Sequence, residues 1–311
     1  MKIKVSRKAE LLGHKSAIYA LATAGKNHFY STSGDGLVVK WNLQELDRPG
    51  VAIADIEEQV FCLLAMPESD ILVCGAFSGS IYFVNETQAS PPRRMAFHDK
   101  GIFAVLQVGD VVVAAGGDGK LSLWNPSSAQ LISYFALSHE SLRSLEYDAQ
   151  KDELIVGASD GRIYFIDWST KKLRTQIDRA HLPSVFTTLH LPNAGRLYSG
   201  GRDAKIKVWD LETHAPLENL DAHWYTVNQI IAVLDDSIVA SASRDKSVRL
   251  WDTHTMALLE TLDKARHGGH INSANSILWL ADRSLLISAG DDQRILVWKL
   301  IFDPSSDLDS T

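Results

Sequence analysis

Short apolar segments alternate with turn-forming residues along the whole chain. Residues 227–263 show the pattern clearly, with VNQIIAV, IVASAS, SVRLWD and ALLETLD separated by short polar stretches such as DDS and RDK. Segments that are rich in β-branched and apolar residues and bounded by turn formers are typical of β-strands. The pattern predicts strands at 227–233, 238–243, 247–252 and 257–263. Because the same order recurs with a turn signal about every ten residues, we expect an all-β fold.

One phrase closes each repetition, a turn followed by a strand that ends in Trp-Asp or a similar pair. Six copies are clear, and a seventh is degenerate: SGDGLVVKWN (33–42), GGDGKLSLWN (116–125), SDGRIYFID (159–167), RDAKIKVWD (202–210), RDKSVRLWD (244–252), DDQRILVWK (291–299) and, degenerate, FSGSIYFVN (77–85). Their closing positions are Trp41, Val84, Trp124, Ile166, Trp209, Trp251 and Trp298, at spacings of 43, 40, 42, 43, 42 and 47 residues. A period in the low forties with a closing Trp-Asp is typical of a four-stranded propeller blade.

This repeat resembles that of the WD40 family, and the resemblance covers nearly the whole chain. It implies a seven-bladed WD40 β-propeller, in which each blade buries its faces against its neighbours. The last repeat has no fourth strand after residues 299–300, whereas residues 2–9 begin Lys-Ile-Lys-Val ahead of the first repeat. We therefore expect the N-terminal strand to pair into the last blade and close the ring. Residues 1–301 would then form a single propeller, and FDPSSDLDST (302–311) a disordered acidic tail.

A set of His, Ser, Asp and Trp residues recurs at matching positions in four repeats. The sets are His14–Ser31–Asp35–Trp41, His181–Ser199–Asp203–Trp209, His223–Ser241–Asp245–Trp251 and His270–Ser288–Asp292–Trp298. In WD40 proteins the matching residues form a buried hydrogen-bonded tetrad, and buried groups of these kinds need such partners. An enzyme needs one site and this chain has four near-identical sets. We therefore predict a structural role for them, no catalytic residues and no enzyme activity.

Three consecutive repeats depart from this pattern. The second repeat has no matching His, and its Ser, Asp and Trp positions hold Cys74, Ser78 and Val84. In the third repeat the His, Ser, Asp and Trp positions hold His98, Ala114, Asp118 and Trp124. In the fourth repeat the same positions hold His139, Val156, Asp160 and Ile166. The departures indicate either drift in a tolerant region or a sector shaped by function. The sequence leaves both interpretations open.

The composition is that of an ordinary globular protein, with 45% hydrophobic and 22% charged residues. The net charge of −7 argues against general nucleic-acid binding, which needs a basic footprint. No apolar stretch approaches the roughly 18 residues of a membrane span, and the N-terminus has no apolar signal-peptide core. We therefore expect a cytoplasmic protein that binds neither nucleic acid nor membrane.

The cysteines and the remaining polar motifs do not predict a metal or cofactor. Cys62 and Cys74 would face each other across a hairpin, so a redox pair and two reduced buried thiols are both open. The HGGH motif at 267–270 lacks a third ligand. The GGDGK motif at 116–120 fails the spacing of a phosphate-binding loop. We predict no metal and no cofactor.

Two sets of residues are expected around the mouth of the central channel. The first follows the leading apolar residue of each inner strand and comprises Tyr19, Phe61, Phe103, Arg143, Phe186, Asn228 and Asn275. The second precedes each turn acid and comprises Gly34, Phe77, Gly117, Ser159, Arg202, Arg244 and Asp291. In WD40 proteins the residues that match both sets cluster on the top face, where partners commonly dock.

We predict that eight of these residues bind a partner: Tyr19, Phe61, Phe77, Phe103, Arg143, Phe186, Arg202 and Arg244. Aromatic and arginine residues that converge on one rim have the composition of an interaction hot spot. The sequence favours a non-catalytic scaffold, a monomeric propeller within a larger complex, that binds a peptide or protein loop with apolar and acidic residues. The alternatives are aromatic packing between blades, a small-ligand-sensing propeller, and a propeller enzyme with its site at the channel mouth.

Overall fold

The computed structural model describes residues 2–88, 90–234 and 236–303. Within these ranges the strands form seven four-stranded antiparallel sheets. The inner strand of each sheet contacts the inner strands of both neighbouring sheets, so the sheets form a closed ring. The predicted all-β, seven-bladed propeller is therefore confirmed.

The strands are numbered in chain order, and each blade runs from an inner to an outer strand. Blade 1 contains β2 (Ile18–Ala24), β3 (His28–Ser33), β4 (Leu37–Asn42) and β5 (Val51–Asp55); blade 2 contains β6 (Val60–Met66), β7 (Ile71–Ala76), β8 (Ser80–Asn85) and β9 (Arg93–Ala96); blade 3 contains β10 (Ile102–Val108), β11 (Val111–Gly116), β12 (Lys120–Asn125) and β13 (Gln130–Ala136); and blade 4 contains β14 (Leu142–Asp148), β15 (Glu153–Ala158), β16 (Ile163–Asp167) and β17 (Lys172–Ile177). Blade 5 contains β18 (Val185–Leu191), β19 (Arg196–Gly201), β20 (Ile206–Asp210) and β21 (Pro216–Leu220); blade 6 contains β22 (Val227–Val233), β23 (Ile238–Ser243), β24 (Val248–Asp252) and β25 (Leu258–Leu262); and blade 7 contains β26 (Ala274–Leu280), β27 (Leu285–Gly290), β28 (Ile295–Asp303) and, as its outer strand, β1 (Lys2–Leu11).

The connection between blades 6 and 7 explains the one long repeat spacing. It contains a single helical turn, α1 (Lys264–His267), which the apolar pattern does not predict. The Asp263 side chain accepts a hydrogen bond from the Arg266 backbone N–H and caps this turn. Two 3₁₀ turns, Pro192–Ala194 and Ala281–Arg283, lie between the inner and second strands of blades 5 and 7.

The two ends of the described chain close the ring. Strand β1 pairs antiparallel with β28, from Lys2 opposite Asp303 to Leu11 opposite Ile295. The predicted closure is therefore confirmed, and the strand is longer than the expected residues 2–9. Residues 302 and 303, which were expected in the tail, belong to β28, where Phe302 packs its ring against Trp279. Residues 304–311 lie outside the described residues.

Every inner strand carries a β-bulge directly after its first residue. In β10, for example, Ile102 pairs with Gly116 and Ala104 pairs with Ala115, so Phe103 is left without a partner in the sheet. The same shift occurs at the start of the other six inner strands. A bulge turns the extra residue away from the regular pleat. The seven bulged residues are those of the first predicted set, hereafter the rim ring.

The hydrophobic core lies between neighbouring blades. One cluster joins Ile238 and Leu250 of blade 6 to Ile277 and Trp298 of blade 7, and Trp298 is completely buried. Comparable clusters join the other neighbouring blades. Each blade therefore depends on its neighbours for burial, and ring closure completes the core.

The bulge in blade 2 also corrects the expected cysteine geometry. Cys62 pairs with Gly75 and Cys74 pairs with Leu63, so the two cysteines are offset by one residue rather than opposite. Both thiols are free and buried. Burial raises the pKa of Cys74 to about 12 and raises that of Cys62 further. The arrangement is that of two unreactive, protonated thiols.

Candidate functional site

The predicted tetrads are present in blades 1, 5, 6 and 7. In blade 6, His223 Nδ1 lies 2.9 Å from Asp245 Oδ2, and its Nε2 lies 2.7 Å from Ser241 Oγ. The Trp251 indole N–H donates to the same Ser241 oxygen at 2.9 Å. Corresponding contacts of 2.7–3.1 Å occur in the other three blades. The tetrad atoms are therefore occupied by one another, as a structural network requires.

The tetrad of blade 6 has an ionised acid and a neutral imidazole. Burial lowers the pKa of His223 below its ordinary 6.5, although Asp245 opposes this shift. Burial alone would raise the pKa of Asp245, but hydrogen bonds from His223, Ser247 and the Trp224 backbone N–H lower it far below its usual range. The acid also accepts from the Ser247 backbone N–H at 3.0 Å. It therefore fixes the turn between the second and third strands.

Blade 3 completes its tetrad with a serine that the sequence analysis missed. Ser122 Oγ lies 2.8 Å from His98 Nε2 and accepts from the Trp124 indole at 2.8 Å. Ser122 pairs directly across the sheet with Ala114, the residue at the expected serine position. The hydroxyl has therefore moved to the neighbouring strand while the network is preserved.

Blades 2 and 4 use a tyrosine at the same cross-strand position. In blade 2, the Tyr82 hydroxyl donates to Glu58 Oε1 at 2.6 Å, and Ser78 Oγ donates to the same oxygen at 2.9 Å. In blade 4, the Asp160 carboxylate accepts from Tyr164 at 2.5 Å and from Ser138 at 2.7 Å. Blades 2, 3 and 4 each have a hydroxyl-bearing residue four positions after the turn position, at 82, 122 and 164. This spacing was the sequence signal that could have predicted their networks.

One predicted tetrad residue is wrong. His139 was assigned to the histidine position of blade 4, but its side chain is exposed. Ser138, which lies 22 residues before Asp160, makes the contact that histidine makes in blades 5, 6 and 7. The error arose because the two residues are adjacent in sequence, and a histidine is the expected type.

The rim ring places its aromatic residues and Arg143 in continuous contact over five blades. Tyr19 packs edge-on against Phe61 at 5.1 Å between centroids, and Phe61 stacks on Phe103 at 5.4 Å. The Arg143 guanidinium carbon lies 3.9 Å from the Phe103 centroid and 5.1 Å from that of Phe186. All five side chains are half-buried. Such contacts are attractive and hold the rings in fixed orientations.

The remaining two rim-ring residues form a polar sector. The Asn228 side-chain amide donates to Ser273 Oγ at 3.0 Å and to the Ala274 carbonyl at 2.9 Å. The Asn275 amide donates to Asp291 Oδ1 at 2.7 Å and to the Ile18 carbonyl at 3.0 Å. These amides are therefore satisfied within the protein, in contrast with the aromatic sector, the name used hereafter for Tyr19, Phe61, Phe103, Arg143 and Phe186.

The other predicted partner-binding residues lie on the turns around the ring. Phe77 is 62% exposed, and its ring packs edge-on against Phe61 at 5.9 Å. Arg202 and Arg244 are exposed, and neither side chain has an ion pair in the part of the chain that the structure describes. A Cβ at Gly117 would lie 2.9 Å from the Phe103 ring, so glycine makes room for that ring. The face that carries these residues is hereafter the top face.

The top face of blades 5 and 6 has exposed apolar side chains that the sequence analysis missed. Leu182, Trp224 and Tyr225 are 67%, 82% and 61% exposed. The backbone N–H groups of Leu182 and Trp224 donate to the turn acids Asp203 and Asp245, which places both residues beside Arg202 and Arg244. Leu182 and Trp224 each directly follow a tetrad histidine, and this position was the sequence signal that could have predicted their place on the top face. These residues extend the apolar and cationic surface beyond the ring.

The rim ring and the inner strands that continue from it line a central cavity of about 310 Å³. Glu146 is the acidic exception at a wall position that is apolar in the other blades: Ala22, Leu64, Leu106, Leu189, Ile231 and Leu278. Burial raises the pKa of Glu146 to about 8, partly offset by the His190 backbone N–H. The described residues contain no group of three His, Cys, Asp or Glu side chains placed to hold a metal ion. They also contain no helix that is long and apolar enough to cross a membrane.

Comparisons with known proteins agree with this architecture. The family model "WD domain, G-beta repeat" matches residues 171–210, 215–252 and 261–299. The chain is 26% identical to "Ribosome biogenesis protein ytm1" of Aspergillus niger, over 94% of this chain and 54% of that protein. It is 26% identical to "U3 small nucleolar RNA-associated protein 15 homolog" of Gallus gallus, over 67% of this chain and 38% of that protein. It thus spans about half or less of the length of these relatives.

A solved structure extends the likeness to the whole ring. The crystal structure of the WD40 β-propeller domain of Doa1 superimposes with a TM-score of 0.84, covering 95% of this chain and 97% of that one, at 18% identity. At this identity the likeness concerns the fold. Together with the three matched repeats and the tetrads, it shows that this chain contains WD40 repeats and folds as a seven-bladed β-propeller.

Proposed function

We propose that this propeller is a non-catalytic scaffold that binds a peptide or protein loop on its top face. The observation that carries the proposal is the unbroken contact from Tyr19 through Phe61, Phe103 and Arg143 to Phe186. Half-buried aromatic and arginine side chains in fixed orientations are characteristic of hot spots, because little side-chain entropy remains to be lost on binding. Phe77, beside this sector, offers further exposed apolar area.

The charge of the rim specifies the kind of segment that would bind. The whole chain has a net charge of −7, yet Arg143, Arg202 and Arg244 give the top face three guanidinium groups. An acidic segment would be attracted to this local charge. Its apolar residues would contact the rings, and its carboxylates the arginines.

The relatives are consistent with a partner of this kind. Those reported above are named for ribosome biogenesis and for association with a small nucleolar RNA, and neither name denotes an enzyme. These names give no support to the expected cytoplasmic location. We propose a monomeric propeller that acts within a larger protein complex, with contacts to protein rather than to nucleic acid or membrane.

Affinity capture from cells, with a matched pair of variants, tests the proposal. The rim variant Phe103→Ala/Arg143→Glu removes the centre of the aromatic sector. The control variant Ile132→Ala/Tyr134→Ala removes comparably large exposed side chains from the outer strand β13. Unchanged thermal unfolding must first show that both variants fold.

The expected result is that specific partners bind the wild type and the control variant, and are lost from the rim variant. Partners retained by a folded rim variant would contradict docking at this site. Partners lost only from the β13 variant would move the docking site to the outer edge of blade 3.

A further inference from the structure

Strand β1 is the outer strand of blade 7, and its outer edge is unpaired within the residues that the structure describes. It has ten residues, whereas the other six outer strands have four to seven. Alternate residues of an edge strand direct their backbone N–H and C=O groups away from the sheet. Among the outer strands, β1 therefore presents the longest row of outward-facing backbone groups.

The side chains along this edge are cationic and are not neutralised. Lys2, Lys4 and Lys8 are exposed, and none of them has a carboxylate partner in the described part of the chain. The one acid of the strand, Glu10, is bound by two arginines at 3.2 Å each. The whole chain has a net charge of −7, so this edge is a local positive exception.

The two faces of β1 carry different side chains. Ile3 and Val5 pack against the core between blades 6 and 7. Because successive side chains of a strand point to opposite faces, Lys2 and Lys4 lie on the other face. A further strand at this edge would continue both faces, with apolar residues beside Ile3 and Val5 and charged residues beside the lysines.

The charge of the edge determines which strand can pair with it. Lysines on an edge strand oppose pairing with neutral or like-charged strands. A second copy of β1 would bring cations close to cations, which is destabilising. An acidic strand meets the opposite condition, because its carboxylates lie across from ammonium groups. The lysines therefore oppose self-pairing and favour an acidic segment.

We propose that β1 binds an extended acidic segment of a protein partner, which adds to blade 7 as a fifth strand. The segment alternates acidic and apolar residues, and its backbone continues the hydrogen-bonded ladder. A polypeptide is favoured over a nucleic acid because only a polypeptide can form this ladder. The inference rests on the proposed function in one respect: the segment belongs to the partner that docks at the rim, and it adds a second, weaker contact.

Hydrogen exchange of the full chain, measured by mass spectrometry, tests strand addition with a synthetic probe. The probe is an acetylated and amidated peptide of alternating Asp and Val, and its counterpart alternates Lys and Val. We expect the acidic peptide at saturation to slow the exchange of residues 2–11 about tenfold, because outward-facing N–H groups acquire acceptors. The lysine peptide should not bind, and added salt should weaken the binding of the acidic peptide.

Two variants that remove equal charge separate this edge from the rest of the surface. Lys2→Gln/Lys4→Gln should weaken binding of the acidic peptide about tenfold. The control Lys26→Gln/Lys172→Gln removes two exposed lysines from other blades, and its affinity for the peptide should not change. The rim variant should also bind the peptide at β1 as the wild type does, because the outer edge of blade 7 lies outside the rim ring.

No protection of residues 2–11, equal binding of the lysine peptide, or equal weakening in the control variant would overturn the inference. Protection that rises with protein concentration in the absence of peptide would assign the edge to a second copy of the chain and overturn it. Tighter binding of single-stranded polyuridine at the same residues would overturn the assignment to a polypeptide.

The rim variant distinguishes this inference from the proposed function. Loss of peptide binding in that variant would place the peptide at the rim and overturn the β1 site alone. Peptide binding at β1 without any rim-dependent partner would contradict the proposed function alone.

Discussion

At the scale of single residues, each blade needs a hydroxyl group between its second and third strands. Four tetrads could be predicted because four residue types coincide at fixed spacings. The networks of blades 2–4 could not, because the hydroxyl comes from the cross-strand partner, such as Ser122 opposite Ala114. A pattern based on one strand cannot detect such an exchange. The three blades therefore keep a polar network rather than having lost it.

The first prediction concerns the turn acid of blade 6. Asp245→Ala leaves His223 and the backbone N–H groups of Trp224 and Ser247 without their acceptor. We expect the free energy of unfolding to fall by about 2–4 kcal/mol, measured by denaturant titration. The control is Asp221→Ala, which removes an exposed partner of Lys205 and should have little effect. Equal stability of the two variants would contradict the structural role.

The second prediction is a rescue in blade 3. Ser122→Ala removes the oxygen shared by His98 and Trp124 and should cost about 1–3 kcal/mol in the free energy of unfolding. Adding Ala114→Ser returns a hydroxyl to the directly paired position and should recover part of the loss. If the double variant is no more stable than Ser122→Ala, the two positions are not interchangeable.

The third prediction concerns pH. The pKa values of His223 and Asp245 are both lower in the folded than in the unfolded chain, so the folded state binds fewer protons. The histidine contribution to stability is complete above its unfolded value of 6.5 and is lost as pH falls below it. The aspartate contribution is lost only below 3.8. The melting temperature should therefore decrease as pH falls below 6.5, and less steeply in His223→Gln.

At the scale of the elements, the bulges at the start of the inner strands determine the rim. The sequence predicts which residues occupy these positions, because each follows the leading apolar residue of its strand. It does not show the register shift that turns them out of the pleat, since a bulge is defined by the pairing of two strands. The exposed Trp224 and Tyr225 were missed because they lie between the tetrad histidine and the inner strand β22, outside both predicted sets of rim residues.

The fourth prediction concerns the closing strand. Deletion of residues 2–11 would expose the edge of β28 and remove the packing of Ile3 and Val5 against the core between blades 6 and 7. We expect a lower melting temperature and self-association, measured by circular dichroism and light scattering, because an unpaired apolar edge pairs with other chains. The control Lys2→Gln/Lys4→Gln keeps the strand and should remain monodisperse. A deleted chain as stable and monodisperse as the wild type would contradict closure by β1.

At the scale of the whole molecule, the ring divides its top face into unlike sectors. Blades 1–5 present rings and Arg143 at the channel mouth, whereas Asn228 and Asn275 of blades 6 and 7 are bound to neighbouring groups. Seven blades could be counted from the repeat, because the period survives even where the tetrad residues change. The sector boundary could not be predicted, since it depends on contacts between residues about 40 positions apart, which the packing of neighbouring blades brings together.

Site-specific photocrosslinking tests the central claim, docking on the top face, most directly. A photoreactive benzoylphenylalanine in place of Phe77 would lie beside the aromatic sector, and the same residue in place of Ile132 would lie on the outer edge of blade 3; both native side chains are more than half exposed. Docking at the rim predicts that partner proteins crosslink from position 77 and not from position 132, and that Phe103→Ala/Arg143→Glu abolishes the crosslink. Crosslinks from position 132 alone, or crosslinks at 77 that persist in the rim variant, would contradict it.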